Sequence, residues 1–234
     1  MMTDEVGRPL RVAIFGSTGL IGRGALPEAL DYSAIGEVIT VGRRASELEH
    51  PKLRHVVHED FLDFAPIAGE LADLDACFWC LGISSAGVGE AEYTKITYDY
   101  TMAAARVLAA RSPRVRFCFV SGEGTDDTER GRSMWARVKG RAENAVKRTL
   151  TDVYLFRPGY IRPMRGARSK TMLYRALDPF LIGLSPLLRP MGMATSTVEI
   201  GKAMIAAATG LSEERLLASK AINALAARLD AASA

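Results

Sequence analysis

Residues Arg11 to Gly24 read RVAIFGSTGLIGRG, and this stretch decides the fold. Its first part, Val12 to Phe15, is a short apolar run of mostly β-branched or aromatic residues, a pattern that favours a buried strand. The run stops at Gly16, and two more glycines follow at three-residue spacing, Gly19 and Gly22. This order predicts a strand, a tight turn and the start of a helix.

Each glycine has a separate role in such a turn. Gly16 lets the backbone leave the strand, Gly19 lets a ligand approach the main chain, and Gly22 lets the new helix pack closely on the sheet. The free N–H groups at the positive end of that helix favour an anion, most naturally a pyrophosphate. The spacing is GxxGxxG rather than the common GxGxxG, so the alternative is a turn that needs glycine only for packing.

The composition is that of an ordinary globular chain. The 234 residues are 48% hydrophobic and 24% charged, which fits one large α/β domain. A net charge of +3 is too small to imply nucleic-acid binding. The polar segment Met1 to Pro9 predicts no signal peptide, and three cysteines, an odd number, fit a reducing compartment. These features predict a cytoplasmic protein.

Two pairs of potential metal ligands share a spacing of three residues. Cys77 and Cys80 form a CxxC, and His55 and His58 have the same separation. Both pairs lie in strand-like runs, where residues three apart point to opposite faces, and there is no second CxxC. We therefore predict that the cysteines pack in the core and that the chain has no metal site.

Further strand-like runs follow the first strand, with helical stretches after most of them. The runs are 37–41, 53–59, 76–81, 115–120 and 153–156. The helical stretches are 20–30, 91–111 and 133–150. This alternation predicts a doubly wound parallel sheet with the strand order 3-2-1-4-5-6, in which ligands bind at the carboxyl ends of the strands.

The ends of the second, third and fourth strands carry candidates for nucleotide binding. Arg43 and Arg44 lie where a dinucleotide-binding unit faces the adenosine ribose, and arginine there accommodates a 2′-phosphate. They indicate NADP(H), the alternative being a solvated basic loop. Asp60 either binds the adenine or caps a turn. Gly82 to Ser85 are mostly small, which suits a backbone passing close to the cofactor ribose.

The fifth and sixth strands lead into candidates for chemistry. Ser121 follows the fifth strand, and Tyr160 follows an Arg-Pro-Gly turn after the sixth. Trp135 and Lys139, spaced i and i+4, share one face of the helix between these strands.

The pattern changes after the sixth strand. A basic loop at 162–170 precedes the apolar stretch Met172 to Leu188, which is too interrupted for a transmembrane helix. This stretch fits a substrate lid or partner surface, or an outer packing helix. Ser196 and Glu199 match a capping box before a helix. Leu216 to Ala232 predicts a final helix that is either docked on the domain or used in self-association.

The ordered set GSTGLIG, VGRR, CLG, VSG, a lysine-bearing helix and FRPGYIRP resembles the short-chain dehydrogenase/reductase superfamily. More closely, it is similar to the atypical, epimerase-like NAD(P)-binding branch related to the Tat-interacting protein. The resemblance covers about residues 10 to 210 and implies a Rossmann-like fold. It implies a single domain at 1–234, with a nucleotide-binding core at 10–160 and a short C-terminal helical extension for substrate or a lid at 161–234.

The resemblance also implies roles for individual residues. It places the glycine turn on the pyrophosphate of NADP(H), the two arginines on its 2′-phosphate, the end of the fourth strand on the ribose side, and the helix lysine on the nicotinamide ribose hydroxyls. The predicted cofactor residues are Gly16, Ser17, Thr18, Gly19, Leu20, Ile21, Gly22, Arg43, Arg44, Asp60, Leu81, Gly82 and Lys139. Ser121 is expected beside the substrate.

One position departs from the family pattern. Active members have a tyrosine four residues before the lysine, which serves as general acid or base. Here the residue is Trp135, whose indole N–H donates a hydrogen bond but offers no proton transfer near neutral pH. Tyr160 could supply the phenol instead, unless it supports the turn before it. An acidic residue of the loop after the fifth strand is the other alternative: Glu123, Asp126 or Asp127.

Two classes of function follow from these patterns. The first is an NADP(H)-dependent oxidoreductase or epimerase-like enzyme acting on a small carbonyl or alcohol through Ser121, Lys139 and a relocated acid such as Tyr160. The second is an NADPH-sensing regulatory or interaction module that presents its C-terminal helices to a partner or a second copy. No nucleic-acid partner is expected, because no aromatic stacking platform accompanies the few basic residues.

Overall fold

The structure is a computed structural model that describes residues 8–45, 48–164 and 192–233. The strands are β1 (Leu10–Phe15), β2 (Ile35–Gly42), β3 (Leu53–Val57), β4 (Ala76–Trp79), β5 (Arg116–Val120), β6 (Asp152–Arg157), β7 (Tyr160–Arg162), β8 (Ala194–Ser196) and β9 (Leu216–Ala218). The helices are α1 (Leu20–Asp31), α2 (Glu90–Thr94), α3 (Tyr100–Arg111), α4 (Met134–Thr149), α5 (Thr197–Ala208) and α6 (Ser219–Ser233). A π-helical turn, Lys95–Asp99, joins α2 to α3, and a 3-10 turn occupies Ala65–Ile67.

The main sheet has the order β3-β2-β1-β4-β5-β6-β9, and every neighbouring pair is parallel. The predicted order of the first six strands is confirmed, and so is a Rossmann-like, doubly wound single domain with a C-terminal helix. The strands β7 and β8 form a separate parallel pair. Because the order reverses between β1 and β4, the carboxyl ends of these two strands flank the crevice in which such folds bind ligands.

Both faces of the sheet are covered by helices. On β1, Val12 and Ile14 pack into the cluster that holds α1, α5 and α6, whereas Ala13 and Phe15 pack against α3 and α4 on the other face. All four side chains are fully buried. Burial on both faces explains why the strands are continuous apolar runs rather than alternating ones.

The end of the chain differs from the prediction in one respect. The expected helix at 216–232 begins only at Ser219, because Leu216–Ala218 pairs with β6 as a seventh strand. Ile222, Leu225 and Leu229 are buried against the sheet, so α6 is docked on the domain. Before α5, the Ser196 hydroxyl accepts a hydrogen bond from the Glu199 backbone N–H at 3.1 Å, which confirms the predicted cap.

The two cysteines of the CxxC lie on opposite sides of the sheet, as their spacing predicts. Cys77 belongs to the cluster around Phe15, whereas Cys80 packs against the opposite cluster. Both are free thiols, and burial raises the pKa of Cys80 to about 12. In residues 8–45, 48–164 and 192–233 there is no group of three histidine, cysteine, aspartate or glutamate side chains placed to hold a metal ion.

Residues 165–188, which include the predicted lid stretch, lie outside the residues that the structure describes. Within the described ranges, none of the helices combines the length and apolar character needed to cross a bilayer.

Candidate functional site

The glycine turn after β1 is closed by backbone contacts that leave no room for side chains. Gly16 has φ +76°, and its carbonyl accepts a hydrogen bond from the Gly19 N–H at 2.9 Å. A Cβ on Gly16 would lie 2.8 Å from the carbonyl oxygen of Cys80 and from the backbone nitrogen of Leu81. Only glycine fits this conformation and this approach, which brings the turn against the end of β4.

The start of α1 is pressed against the same turn. A Cβ on Gly22 would lie 2.7 Å from the Ser17 Cα, so a larger residue would push the helix away from the turn. The helix begins at Leu20 with Gly19 as its N-cap and has no side-chain cap. Its first N–H groups are therefore available to an anion. Thr18 is exposed beside them, and Leu20 and Ile21 are half-buried.

The remaining residues predicted to bind the nucleotide lie at the ends of β2, β3 and β4. Arg43 and Arg44 are exposed directly after β2. The Asp60 carboxylate accepts a hydrogen bond from the Leu62 N–H at 2.9 Å, so it caps a turn, which was one of its two predicted roles. Gly82 is exposed with open space around it.

A cleft of about 560 Å³ opens at the carboxyl ends of β5 and β6, beside the first turn of α4. Its lining residues are Ser121, Gly122, Glu123, Gly124, Trp135, Pro158, Gly159, Tyr160, Ile161 and Met193. The Trp135 ring covers the glycine-containing segment, because a Cβ on Gly124 would lie 3.6 Å from it. The structure thus brings Ser121, Trp135 and Tyr160 to one cavity.

A buried ionic network lies behind the cleft. The Ser121 hydroxyl donates to the Glu143 carboxylate, whose side chain is 0% exposed. The Arg157 guanidinium donates to both carboxylate oxygens, from Nε to Oε1 at 3.0 Å and from Nη2 to Oε2. This network joins the ends of β5 and β6 to the middle of α4. Glu143, through its hydrogen bond, raises the pKa of Arg157.

Lys139 lies one helical turn before Glu143. Its ammonium donates to the Val120 carbonyl at 3.2 Å and lies 5.8 Å from the centre of the Phe119 ring. Burial lowers the pKa of Lys139 to about 8, and the charge of Glu143 opposes this shift. The lysine is therefore held at the end of β5, and its ammonium loses its proton at a lower pH than that of an exposed lysine.

The lowered pKa of Lys139 predicts a pH-dependent stability. Above about pH 8 the folded protein loses a proton that the unfolded chain keeps up to about 10.5, so this group makes folding more favourable as the pH rises through that window. We expect the free energy of unfolding of wild type to approach that of Lys139→Met between these pH values. Denaturant titrations of both proteins measure the difference between their free energies of unfolding. A difference that does not change with pH would contradict the lowered pKa of Lys139.

The structure separates the alternative proton donors. Tyr160 and Glu123 line the cleft with Trp135. The Asp126 carboxylate accepts hydrogen bonds from Thr128 and from the Gly131 N–H, which lower its pKa, and Asp126 is not among the described lining residues of the cleft. The exposed Asp127 is turned toward the Arg157 guanidinium, 3.9 Å away, and is not among the cleft's lining residues.

Sequence reasoning missed the role of Glu143. A glutamate on an amphipathic helix normally faces solvent. Its spacing of four residues from Lys139 was the available signal, because it places both side chains on the face of α4 that meets the sheet.

Comparison with known proteins defines the class. A family model described as NAD(P)H-binding matches residues 16–180, and the chain belongs to this family. The prediction of an NAD(P)-binding, epimerase-like fold is confirmed, whereas the closer link to the Tat-interacting protein stays a prediction.

Individual relatives resemble the chain over most of its length. "Protein fmp52-2, mitochondrial" of Aspergillus oryzae is 29% identical over 89% of this chain and 90% of its own length. "Protein fmp52, mitochondrial" of Emericella nidulans is 26% identical over 83% and 85%. The solved structure of MoeE5 in complex with UDP-glucose and NAD has a TM-score of 0.66 at 16% identity and covers 94% of this chain and 82% of that one. At this identity the structural match shows the fold alone.

The fungal relatives correct one prediction. Both are named as mitochondrial proteins. The predicted cytoplasmic location is therefore wrong. An odd number of cysteines fits a reducing compartment, but it does not separate the cytoplasm from other reducing compartments.

Proposed function

We propose that the protein is an NADP(H)-dependent oxidoreductase or epimerase-like enzyme that acts on a small alcohol or carbonyl compound. The observation that carries this proposal is the cleft that gathers Ser121, Trp135 and Tyr160 at the carboxyl ends of β5 and β6. It lies on the same edge of the sheet as the glycine turn, two strands away from β1. A substrate there would face the cofactor crevice.

The residues around the turn fit a dinucleotide. The backbone of Gly16 to Gly22 forms a cradle that a Cβ would fill, and the uncapped start of α1 offers N–H groups to the pyrophosphate. Arg43 and Arg44 would hold the 2′-phosphate, and this pairing is our reason for proposing NADP(H) over NAD(H). Lys139 would bind the nicotinamide ribose hydroxyls. The bound cofactor would supply or accept a hydride.

The protein's own contribution is to orient the substrate and to carry a proton. The indole N–H of Trp135 can donate a hydrogen bond, but it cannot exchange a proton near neutral pH. We propose that Tyr160 carries it, because its side chain lines the same cleft. Glu123, at the edge of the cleft, is the alternative carrier.

Substrate-dependent oxidation of NADPH tests this proposal. Across a panel of small ketones and aldehydes we expect turnover that Lys139→Ala abolishes and that Tyr160→Phe slows by about 100-fold, the usual contribution of a general acid. Tyr32→Phe is the matched control, because Tyr32 follows α1 and is absent from the cleft lining. An absence of turnover across the whole panel would contradict the enzyme assignment.

A second function is favoured by a different observation. The acid position holds Trp135, and the Ser121 proton is engaged by Glu143, which fits a module that reads the NADPH pool without turnover. In that case NADPH is expected to change the protease sensitivity of residues 162–188 or the oligomeric state. If both are the same with and without NADPH, this candidate is excluded.

A further inference from the structure

The direction of the hydrogen bond at Ser121 determines what the cleft offers a ligand. Glu143 is ion-paired with Arg157, so its carboxylate accepts hydrogen bonds and donates none. Ser121 must therefore give its single hydroxyl proton to Glu143. The only other acceptor recorded for this hydroxyl among the described residues is the Phe156 carbonyl at 3.5 Å, which belongs to the adjacent strand. In either orientation the proton is used within the protein.

The lone pairs of the same oxygen stay available. Thr125 lies 3.4 Å from the Ser121 oxygen, but its proton has a better acceptor in the Gly122 carbonyl at 2.7 Å. Ser121 is 8% exposed and lines the cleft. A ligand that reaches this oxygen therefore meets an acceptor.

The charge of the cleft agrees with this polarity. Glu123 is the charged residue among the described lining residues, and its exposed carboxylate also accepts hydrogen bonds. The guanidinium of Arg157 and the ammonium of Lys139 are engaged by Glu143 and by the Val120 carbonyl. An anionic ligand would find no cationic partner in the described lining.

We propose that Ser121 binds its ligand as a hydrogen-bond acceptor and that the group placed there is the hydroxyl of a small uncharged alcohol rather than a carbonyl oxygen. Glu143 is the positioning residue, because it takes the serine proton and is fixed by Arg157. This inference rests on the proposed function in assigning the cleft to the substrate. A serine that binds a carbonyl oxygen has to donate its hydroxyl proton to the ligand, so the direction proposed for the Ser121 hydrogen bond is the opposite one.

A matched pair of probes tests the polarity without the cofactor. Cyclohexanol and cyclohexanone have the same ring, but only the alcohol donates a hydrogen bond. We titrate each into the cofactor-free full chain and follow tryptophan fluorescence. One net hydrogen bond is worth about fivefold in affinity, so we expect the alcohol to bind about fivefold more tightly. Ser121→Ala should bring this ratio to about one.

Glu143→Gln provides the readout that a purely structural role would not move. Its amide nitrogen can donate to the serine oxygen and free the serine proton for a ketone, so the alcohol-to-ketone ratio is expected to fall below that of wild type. Glu90→Gln is the matched control, since Glu90 pairs with Arg137 at an exposed position, and it should keep the wild-type ratio.

The outcomes separate this inference from the proposed function. A wild-type ratio of one or less, an unchanged ratio in Ser121→Ala, or no saturation with either probe would overturn the inference. If Glu143→Gln does not fold, Ser121→Ala decides alone, because it removes a single oxygen. NADPH binding, measured separately, tests the proposed function. If NADPH binds but cyclohexanone binds more tightly than cyclohexanol, only the claim that Ser121 acts as an acceptor is refuted.

Discussion

The variant Arg157→Met is expected to be about 3–5 kcal/mol less stable than wild type, because it leaves a fully buried carboxylate without its counter-ion. Glu143 is 0% exposed, and Arg157 donates to both of its oxygens. Methionine keeps much of the side-chain volume and removes the charge, so the loss measures the missing partner rather than a cavity.

Equilibrium unfolding in urea at neutral pH measures this loss. Arg54→Met is the matched control, because Arg54 pairs with Glu37 at a site where the side chains are 41% and 36% exposed. Its expected cost is within about 1 kcal/mol. Adding Glu143→Gln to Arg157→Met should recover part of the stability, since the buried group is then neutral. If Arg157→Met and Arg54→Met lose the same free energy of unfolding, the claim that Arg157 neutralises the buried Glu143 carboxylate is contradicted.

Gly16→Ala is expected to remove the cofactor site. The positive φ of 76° alone costs about 1–2 kcal/mol for a residue with a Cβ. The added carbon would also lie 2.8 Å from the Cys80 carbonyl, which is backbone and cannot move without distorting β4. Displacing the turn would break the N–H contacts that we propose for the pyrophosphate, so NADPH affinity should fall about 100-fold.

Calorimetric titration with NADPH, together with thermal unfolding, checks this expectation. Gly69→Ala is the control, because a Cβ at Gly69 would have no heavy atom within 4 Å. It should leave both the affinity and the stability of the protein close to wild type. Wild-type affinity in Gly16→Ala would mean that the nucleotide does not bind at this turn.

The fold was predictable from the sequence where the structure restricts a position to one type of residue. Buried parallel strands must be apolar on both faces, so β1, β4 and β5 stand out as short apolar runs between turns. The glycines of the first turn follow from a positive φ at Gly16 and from the close approach of Gly22. Most connections join strands that are neighbours in the sheet, whereas the chain passes from β3 beyond β2 and β1 to reach β4.

The three-residue strands were not predictable in this way. β9 is a strand only because β6 offers it a free edge, and its Leu-Leu-Ala sequence is equally suited to the helix that follows. The pair β7 and β8 joins segments more than thirty residues apart, and no periodicity can develop over three residues. Tertiary contacts outweigh local propensity in such short elements.

The candidate site was predictable in its positions but not in its internal hydrogen bonding. The ends of parallel strands had to converge, so Ser121 and Tyr160 were expected to lie near one another. The sequence does not show that Glu143 takes the serine proton, because this depends on a buried contact between a strand end and a helix face. The same holds for Asp126, whose carboxylate is used by its own loop.

One measurement tests the central claim most directly. We would titrate the full chain with NADPH and with NADH while following tryptophan fluorescence, in wild type, in Arg43→Ala and in Trp135→Phe. We predict saturable quenching with a clear preference for NADPH, a loss of that preference in Arg43→Ala, and a loss of most of the signal in Trp135→Phe. Absence of saturable binding of either nucleotide would contradict the account, because the glycine turn would then serve packing alone.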